Sequence, residues 1–378
     1  MISSLADDGF MRLALRLARR GYGQTSPNPM VGAVLVKNGE IIGQGWHRHA
    51  GEPHAEIEAI RDAQRRGNNP KGATLYVTLE PCSTHGRTPP CTGAIKTAGI
   101  TRVVAAATDP NPKHAGRGFR LLRRAGIKVV RGILADEARR LNEVFNHWIV
   151  HETPFVTVKA AMTLDGKIAT ASGESKWITG AKARAYGMNL RRGADAILVG
   201  INTVLTDDPS LTLRARNGAK RLRRIILDAA ARTPLNARVA SDRHAGLTTI
   251  VVGPHAPRTR VAALAERVNV VVAPLAKSKT ENRKSKLDLR WLLKKLGSEN
   301  VTSLLIEGGG EVNASFLLDG LAHRVAFFYA PKILGGRNAR KAVAGEGVRR
   351  LDEVINLRDI EWRRLGPDFL LSARVSAD

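Results

Sequence analysis

The chain is organised around residues 54–91, which open with His54-Ala55-Glu56 and close with Pro81-Cys82-Ser83-Thr84-His85-Gly86-Arg87-Thr88-Pro89-Pro90-Cys91. Both cysteines of the chain lie in this stretch. Zinc binds thiolate and imidazole ligands, and a catalytic zinc keeps three protein ligands with one position left for water. His54, Cys82 and Cys91 supply that number, so the stretch predicts one catalytic zinc ion.

Glu56 completes the predicted chemistry. Zinc lowers the pKa of a bound water to about 7, which makes hydroxide available at neutral pH. Attack on an amino-bearing ring carbon also needs a group that carries protons to the ring nitrogen and to the departing ammonia. Glu56 lies two residues after His54 and is not needed as a ligand. We therefore predict that Glu56 is the catalytic acid and base.

The order of these residues is typical of zinc nucleobase deaminases, in which His-x-Glu is followed by Pro-Cys and a second Cys. That pattern has two residues between the cysteines, whereas here residues 83–90 intervene. A longer loop can return its thiolate to the same ion, which makes the loop a candidate wall of the substrate pocket.

Two other interpretations of the cysteines remain open. A disulfide between Cys82 and Cys91 is one, although a chain with two cysteines and no secretory segment is expected to be reduced. A structural zinc with His85 as its fourth ligand is the other. Glu56 argues against it, because a structural site has no use for that carboxylate.

Composition indicates a two-domain globular protein. The chain has 378 residues, 43% of them hydrophobic and 25% charged, which is enough for two cores. A break near His151-Glu152-Thr153-Pro154 predicts domains at residues 1–150 and 151–378. The sequence shows neither a signal-peptide pattern nor an apolar run of membrane-span length, so we expect a cytoplasmic protein with no membrane partner.

The formal net charge of +26 raises the question of nucleic-acid binding. Positive charge is spread at similar density over both halves, and aromatic residues are only 4% of the chain. A groove for nucleic acid would combine a local basic patch with interleaved aromatics. We therefore expect a small phosphorylated substrate and no nucleic acid.

Strands and helices alternate in both predicted domains, which indicates α/β folds. In the second domain, a strand at Ser303–Glu307 runs into Gly308-Gly309-Gly310, and a helix follows from about Val312. This order presents backbone N–H groups to a phosphate. A tight turn without a ligand explains the same residues equally well.

Taken together, the motifs resemble the bifunctional deaminase-reductase family of riboflavin biosynthesis along nearly the whole chain. The resemblance rests on His54-Ala55-Glu56 with the Pro81–Cys91 loop, and on Asp8–Met11, Pro27–Val34, Thr163–Lys167, Ser172–Thr179, Asp207–Thr212 and Glu307–Gly309. The eight-residue spacing between the cysteines is this family's own. The chain departs from the family at two places. Thr84 directly follows Cys82-Ser83, where the family usually has His, and His323-Arg324 stands where the family often has an acidic pair.

The resemblance implies a cytidine-deaminase-like three-layer domain followed by a dihydrofolate-reductase-like α/β domain. It also implies two reactions and a homo-oligomer. The first would be zinc-dependent deamination of 2,5-diamino-6-(5-phosphoribosylamino)pyrimidin-4-one. The second would be NADPH-dependent reduction of the ribosyl group of 5-amino-6-(5-phosphoribosylamino)uracil to ribityl.

Binding residues follow from the matched motifs alone. Those implied for NADPH are Ala161, Trp177, Thr203, Asp207, Gly309, Gly310, Glu311, Val312, Asn313, Ala314 and Ser315. Those implied for the substrate are Ser175, Arg191, Leu211, Arg214 and Glu307. Two competing functions are a deaminase acting on tRNA or another nucleic acid, and an RNA-binding protein with a structural zinc. The first leaves residues 151–378 without a task, and Glu56 argues against the second.

Overall fold

The computed structural model describes residues 5–85, 89–213, 221–276 and 286–376. The chain divides into two compact units, Met1–Glu152 and Thr153–Asp378. This division lies two residues beyond the boundary expected from the sequence. Among the described residues, no helix is long and apolar enough to span a bilayer.

The first unit is built on one five-stranded sheet. Its elements are α1 (Leu5–Ala18), β1 (Gly32–Lys37), β2 (Glu40–Trp46), α2 (Ala55–Arg65), β3 (Thr74–Leu79), α3 (Cys91–Thr97), β4 (Arg102–Ala107), α4 (Arg117–Arg124), β5 (Lys128–Arg131), α5 (Ala135–Leu141) and α6 (Glu143–His151). The strand order is β2-β1-β3-β4-β5. Strand β1 is antiparallel to both neighbours, whereas β3, β4 and β5 are parallel.

Helices cover both faces of this sheet because small residues let them approach closely. A Cβ atom at Gly32 would meet the backbone of α1, and Cβ atoms at Gly43 or Gly45 would meet the backbone of α2. Gly32 lies opposite Trp46 across the ladder, so it shares a face with Trp46 and not with Gly45. Helices α1 and α2 therefore lie on opposite faces, which gives the predicted three layers.

The pattern of residues Asp136–Ile149 predicts one helix, but the structure has two, α5 and α6. The break falls at Asn142, whose backbone has φ −108° and ψ 24°. The buried Asn142 side chain accepts from the Met30 N–H (2.8 Å) and donates to the Met30 carbonyl (2.9 Å). Asn142 thus ties the helix pair to the start of β1 at the expense of helix continuity.

The second unit has a nine-stranded sheet. Its elements are β6 (Phe155–Thr163), β7 (Lys167–Ala169), α7 (Ala181–Gly193), β8 (Ala196–Gly200), α8 (Ile201–Asp207), β9 (Arg223–Leu227), α9 (Arg238–Ser241), β10 (Thr248–Val252), α10 (Arg258–Ala265), β11 (Asn269–Val272), α11 (Leu289–Ser298), β12 (Ser303–Ile306), α12 (Gly310–Leu318), β13 (Arg324–Ala330), β14 (Arg340–Lys341), β15 (Leu357–Leu365) and β16 (Asp368–Val375). The order in the large sheet is β11-β10-β9-β8-β12-β6-β13-β16-β15.

The first seven strands of that order are parallel. Strand β16 pairs antiparallel with β13, and β15 pairs antiparallel with β16. Alternate residues of the central strands enter two separate cores: Leu198 and Ile225 belong to one, Ile197 and Ile226 to the other. A parallel sheet buried on both faces binds ligands beyond the carboxyl ends of its strands. Glu307 and the glycine turn follow β12 at that edge.

Candidate active sites

In the first unit, three elements bring the predicted zinc ligands together. His54 immediately precedes α2, Cys82 follows the carboxyl end of β3, and Cys91 is the first residue of α3. The Nδ1 atom of His54 lies 3.5 Å from Cys82 Sγ and 3.3 Å from Cys91 Sγ. A tetrahedral ion with ordinary Zn–N and Zn–S bonds separates such atoms by about 3.5 Å. The three side chains therefore fit zinc.

The pKa shifts of the two thiols also favour metal binding. The pKa of Cys82 is lowered, first by the hydrogen bond with Cys91 and also by His54. The Cys91 backbone N–H donates to Cys82 Sγ at 3.2 Å, which favours the thiolate further. The pKa of Cys91 is raised in turn by Cys82, so the pair holds a proton that a zinc ion would displace.

Glu56 lies within this cluster and is 3% exposed. Burial raises the pKa of Glu56 to about 7, with a further contribution from Cys82. The ligand cluster among the described residues is His54, Cys82 and Cys91 and leaves the Glu56 carboxyl out. A buried carboxyl that changes protonation near neutral pH is suited to accept and return a proton.

Asn28 and His47 were not assigned a role from the sequence. The Asn28 amide lies 3.1 Å from His47 Nε2, and His47 Nδ1 lies 3.2 Å from the Pro53 carbonyl. The His47 and His54 rings meet edge to face at 5.3 Å between centroids. His47 therefore packs against a zinc ligand. A lone histidine in a loop carries no spacing signal by which the sequence could reveal this.

Glu80 is a further residue near the zinc ligands to which the sequence assigned no role. Its buried carboxylate accepts from the backbone N–H groups of Gly116 (2.9 Å), Gly118 (2.8 Å), Asp109 (3.2 Å) and Phe119 (3.4 Å). Glu80 lies two residues before Cys82. It therefore joins the strand end that carries a zinc ligand to the first turn of α4.

In the second unit, Arg191 and Glu307 form a two-pronged ion pair. Arg191 Nε and Nη2 donate to the two Glu307 oxygens at 2.9 and 2.8 Å, and Nη1 donates to the Thr212 carbonyl at 3.1 Å. Lys159 Nζ lies 3.9 Å from the same carboxylate. Both Arg191 and Glu307 were expected to bind substrate. The Arg191 guanidinium donates its hydrogen bonds to Glu307 and to the Thr212 carbonyl. Arg191 can therefore bind a substrate phosphate with two hydrogen bonds only if Glu307 releases it.

The glycine turn has the features of a cofactor cradle. Helix α12 begins at Gly310, two residues earlier than expected, with Gly309 as its N-cap at φ −68° and ψ 174°. A Cβ atom at Gly309 would meet nothing within 4 Å, so this backbone borders open space. Gly310, in contrast, packs closely against the backbone carbonyl of Lys341, so a Cβ atom has no room there. A helix N-terminus with open space beside Gly309 fits a phosphate of NADPH.

The other residues implied for NADPH lie around this turn in different environments. Asn313 and Ala314 are buried, and the Asn313 amide donates to the Ala342 carbonyl at 2.8 Å. Glu311, Val312 and Ser315 belong to the same helix, and Ser315 Oγ donates to the Glu311 carbonyl at 2.9 Å. Asn313 therefore holds the turn in place from inside the protein.

Ser175, implied for the substrate, lies beside Asp207, implied for NADPH, because Ser175 Oγ donates to Asp207 Oδ1 at 3.2 Å. Trp177 is 64% exposed and carries the Arg184 guanidinium 4.7 Å from its ring centroid. Thr203 lies in α8, and Leu211 is buried at φ +50°. Ala161 lies on β6. Arg214 lies outside the described residues.

Two known protein families match separate parts of the chain. Residues 5–107 match the family described as "Cytidine and deoxycytidylate deaminase zinc-binding region". Residues 154–371 match the family described as "RibD C-terminal domain". The predicted combination of a cytidine-deaminase-like domain and a reductase domain is thereby confirmed, as is the expectation of a zinc-dependent deaminase.

Similar proteins match along the full length. The chain is 44% identical to "Riboflavin biosynthesis protein RibD" of Aquifex aeolicus, over 97% of each chain. It is 42% identical to the protein of that name from Actinobacillus pleuropneumoniae, over 97% of this chain and 95% of the other. Among solved structures, Acinetobacter baumannii RibD superposes with a TM-score of 0.85 at 35% identity, covering 98% of this chain and 99% of that one. A Thermotoga maritima structure, titled a diaminohydroxyphosphoribosylaminopyrimidine deaminase/5-amino-6-(5-phosphoribosylamino)uracil reductase, has a TM-score of 0.79 at 36% identity, with coverage of 98% and 99%.

Proposed function

Because this chain belongs to the RibD family of riboflavin biosynthesis proteins, we propose that its two units catalyse successive reactions on one ribotide. The substrates are those that the Thermotoga relative's title names. The first unit deaminates the diaminopyrimidine ribotide, and the second reduces the ribosyl group of the resulting aminouracil with NADPH. The observation that carries the first half is the zinc-compatible cluster of His54, Cys82 and Cys91 beside the buried Glu56.

In the deaminase site, His54, Cys82 and Cys91 would hold zinc, which supplies acidified water near neutral pH. Glu56 takes a proton from the attacking water and delivers it to the ring nitrogen. The carboxylate then takes the remaining proton from the hydroxyl added to the ring carbon and passes it to the amino group. The bond between the ring carbon and the amino nitrogen breaks, ammonia leaves, and the oxygen remains as the carbonyl. Water and one amino group are consumed, and a carbonyl and ammonia are formed. Burial keeps the Glu56 carboxyl ready for both transfers, since it raises the pKa to about 7.

In the reductase site, the protein's task is to orient cofactor and substrate, because the nicotinamide supplies the hydride. The backbone at Gly309, the N-cap of α12, borders open space, and we assign a cofactor phosphate to this position. Glu307, Arg191 and Lys159 form a charged group at the carboxyl end of β12. We assign this group to the ribose phosphate and ribosyl group of the substrate, next to the cofactor.

The decisive experiment supplies the diaminopyrimidine ribotide to purified protein and follows products by mass spectrometry. Without NADPH we expect exchange of one amino group for oxygen. With NADPH we expect a further gain of two hydrogens. Cys82→Ser and Cys91→Ser should lose both zinc and the first product. Stoichiometric zinc in both serine variants would contradict the ligand assignment.

We extend the proposal to the family's assembly and location, namely a homo-oligomer in the cytoplasm that acts on a small phosphorylated pyrimidine. Sedimentation of the purified protein tests the first point. A monomer at micromolar concentration would contradict it.

A further inference from the structure

We propose that Arg224 is a positioning residue of the second unit: it holds residues 208–212 so that the Leu211 backbone N–H donates to an oxygen of the phosphorylated substrate. This inference rests on the proposed reduction of the ribotide. It gives a task to an arginine that no motif singled out. The observation that carries it is a fully buried guanidinium whose N–H donors all have acceptors.

The acceptors of Arg224 belong to separate parts of the unit. Its Nη1 and Nη2 donate to the two carboxylate oxygens of Asp242 at 2.7 and 2.9 Å. Its Nε donates to the Thr248 hydroxyl at 2.8 Å, and Nη2 donates also to the Val239 carbonyl at 3.2 Å. The remaining N–H, on Nη1, donates to the Ser210 carbonyl at 3.0 Å. One side chain on β9 therefore joins β10 and helix α9 to the segment that contains Ser210.

Two arginines hold the carbonyls on either side of Leu211. Arg224 binds the Ser210 carbonyl, and Arg191 Nη1 binds the Thr212 carbonyl at 3.1 Å. Leu211 itself has φ +50°. A leucine keeps this left-handed conformation only where its surroundings enforce it. The hydrogen bonds to the flanking carbonyls supply that enforcement.

The backbone N–H of Leu211 is the group that this arrangement leaves for a ligand. Leu211 is 4% exposed, and its side chain packs in a core of the sheet. Among the residues that the structure describes, its N–H has no acceptor. Buried backbone N–H groups are nearly always paired with protein, water or a ligand. The motifs imply Leu211 for the substrate, so we assign the missing acceptor to a substrate oxygen.

Arg191 explains why a second support is needed beside Leu211. Its guanidinium also donates to both oxygens of Glu307, at 2.9 and 2.8 Å. A substrate phosphate that takes Arg191 from Glu307 also disturbs the contact with the Thr212 carbonyl. Arg224 has no such second task, because its acceptors are all protein groups. It therefore keeps Leu211 in place while Arg191 changes partners.

The chemistry of a buried ion pair also favours a geometric role for Arg224. Taking two charges out of water costs about as much as their attraction returns, so well-packed apolar side chains are often equally stable. A guanidinium, however, holds its donors in one rigid plane, whereas an ammonium is a compact charge with three rotatable donors. Arg224 thus provides a fixed direction toward Ser210 that a positive charge alone does not provide.

The test compares steady-state reduction of the deaminated ribotide by wild-type protein, Arg224→Lys and Arg223→Lys. Arg224→Lys keeps the charge beside Asp242 but loses the planar fork that reaches Ser210. We expect its KM for the ribotide to rise about 10- to 100-fold, as for a lost hydrogen bond to a charged group. Its kcat and its affinity for NADPH should stay within about threefold, because the lost contact binds substrate and transition state alike.

Arg223→Lys is the matched control. Arg223 precedes Arg224 on β9, so its side chain points to the other face of the sheet, where it pairs with Glu299 at 2.7 Å. This variant makes the same chemical change one residue away and should match wild type in KM, kcat and NADPH affinity.

A second variant separates positioning from stability. Asp242→Asn removes the charge partner of Arg224 but keeps an oxygen acceptor. Its melting temperature should fall, because a buried charge loses its compensation, while its KM for the ribotide stays within about threefold. If Arg224→Lys does not fold, Asp242→Glu replaces it: the longer carboxylate keeps the ion pair and moves the guanidinium away from Ser210, so the same rise in KM is expected.

A rise in KM shared by Arg224→Lys and Asp242→Asn, in proportion to their loss of melting temperature, would make the arginine a structural support only and overturn the proposal. A normal KM in Arg224→Lys, or a loss confined to kcat, would overturn it as well, while leaving the reductase function intact. A wild-type protein that does not reduce the ribotide would refute the proposed reduction, and the role of Arg224 with it.

Discussion

At the scale of single residues, burial decides what each charged group does. Glu56 and Glu307 are both buried carboxyls, yet their pKa values move in opposite directions. Burial raises the pKa of Glu56 to about 7. Burial also acts to raise the pKa of Glu307, but Lys159 and Arg191 outweigh it and lower the pKa to about 2. A carboxyl that moves protons and a carboxylate that stays charged are thus distinguished by their neighbours.

We expect Glu56→Gln to retain zinc and lose deamination. The amide cannot accept the water proton, and positioned acids and bases contribute roughly 10²–10⁴-fold to rate. Zinc content by metal analysis and deamination rate with the ribotide are the measurements. Glu58→Gln is the matched control, because Glu58 lies two residues further along α2 and pairs with Arg48 and Arg61 instead. Near-normal turnover by Glu56→Gln would remove this residue from the mechanism.

The Arg191–Glu307 pair predicts a pH-dependent stability change. Because the folded pKa of Glu307 is about 2 and its ordinary value is 4.5, the pair stabilises the fold above pH 4.5. That stabilisation is lost as pH falls through 2. In Arg191→Met, only Lys159 remains to stabilise the buried Glu307 carboxylate. The variant should therefore lose about 3 kcal/mol of unfolding free energy at pH 7. The cost should shrink toward pH 4.5 as the carboxyl of the variant protonates.

Melting temperatures of wild type and Arg191→Met at pH 7 and pH 4.5 test this. Lys294→Met removes an exposed cation from α11 and should change neither value by much. A melting-temperature loss in Arg191→Met that is the same at both pH values would show that Glu307 does not depend on Arg191 for its charge.

At the scale of elements, the zinc loop depends on a helix that supplies no ligand. Glu80 directly follows β3 and accepts from four backbone N–H groups between Asp109 and Phe119. A Cβ atom at Gly118 would collide with the Pro81 carbonyl, so α4 also packs directly on the segment before Cys82. Helix α4 therefore supports the position of the Cys82 thiolate through Glu80.

We expect Glu80→Gln to destabilise this arrangement. The amide replaces one acceptor with an NH₂ group and faces buried backbone donors, which costs about 1–3 kcal/mol for each donor left unsatisfied. Zinc should be lost to a chelator faster, and the first unfolding transition should move to lower denaturant. Glu40→Gln, an exposed substitution in the β1–β2 hairpin, is the control. Unchanged zinc retention in Glu80→Gln would show that α4 does not support the metal site.

The same scale shows what the sequence can and cannot predict. Spacing and residue chemistry predicted that His54, Cys82, Cys91 and Glu56 lie together. This prediction was possible because each of them lies near the end of a strand or helix with a strong sequence pattern. Asn142 was missed, since its side-chain bonds to Met30 override a good helical pattern. Strand β15 carries no alternation to detect, because its residues 358–364 are all exposed. Contacts between distant residues, such as Asn28 with His47, leave no local pattern at all.

At the scale of the whole molecule, the net charge of +26 has a distributed origin. Basic side chains pair with acids in both units, as in Arg102–Asp7 and Arg224–Asp242. The excess lies mainly on exposed positions and favours phosphorylated ligands through its long-range field. Such a field is screened within about 10 Å at 0.1 M salt. We therefore attribute substrate choice to the residues at each site and only the encounter rate to net charge.

The two units have separate cores and separate chemistry, which predicts that their activities can be removed one at a time. The clustered metal ligands found among the described residues all belong to the first unit. Chelation of zinc, or Glu56→Gln, should therefore abolish deamination and leave reduction of the already deaminated ribotide by NADPH near its normal rate. Conversely, Gly309→Asp places a carboxylate where a cofactor phosphate is expected, and should abolish reduction while deamination continues.

Gly309→Asp should not strain the backbone, because the conformation at this position does not require glycine. Its φ of −68° is open to any residue, and a Cβ atom there meets nothing within 4 Å. Gly309→Ala is the matched control: it adds the Cβ without the charge and should retain most of the reduction. If Gly309→Asp and Gly309→Ala reduce the ribotide equally well, repulsion of a phosphate is absent at this turn, and the cofactor lies elsewhere. Loss of both activities in either Gly309 variant would instead show that the units depend on each other, against their separate cores.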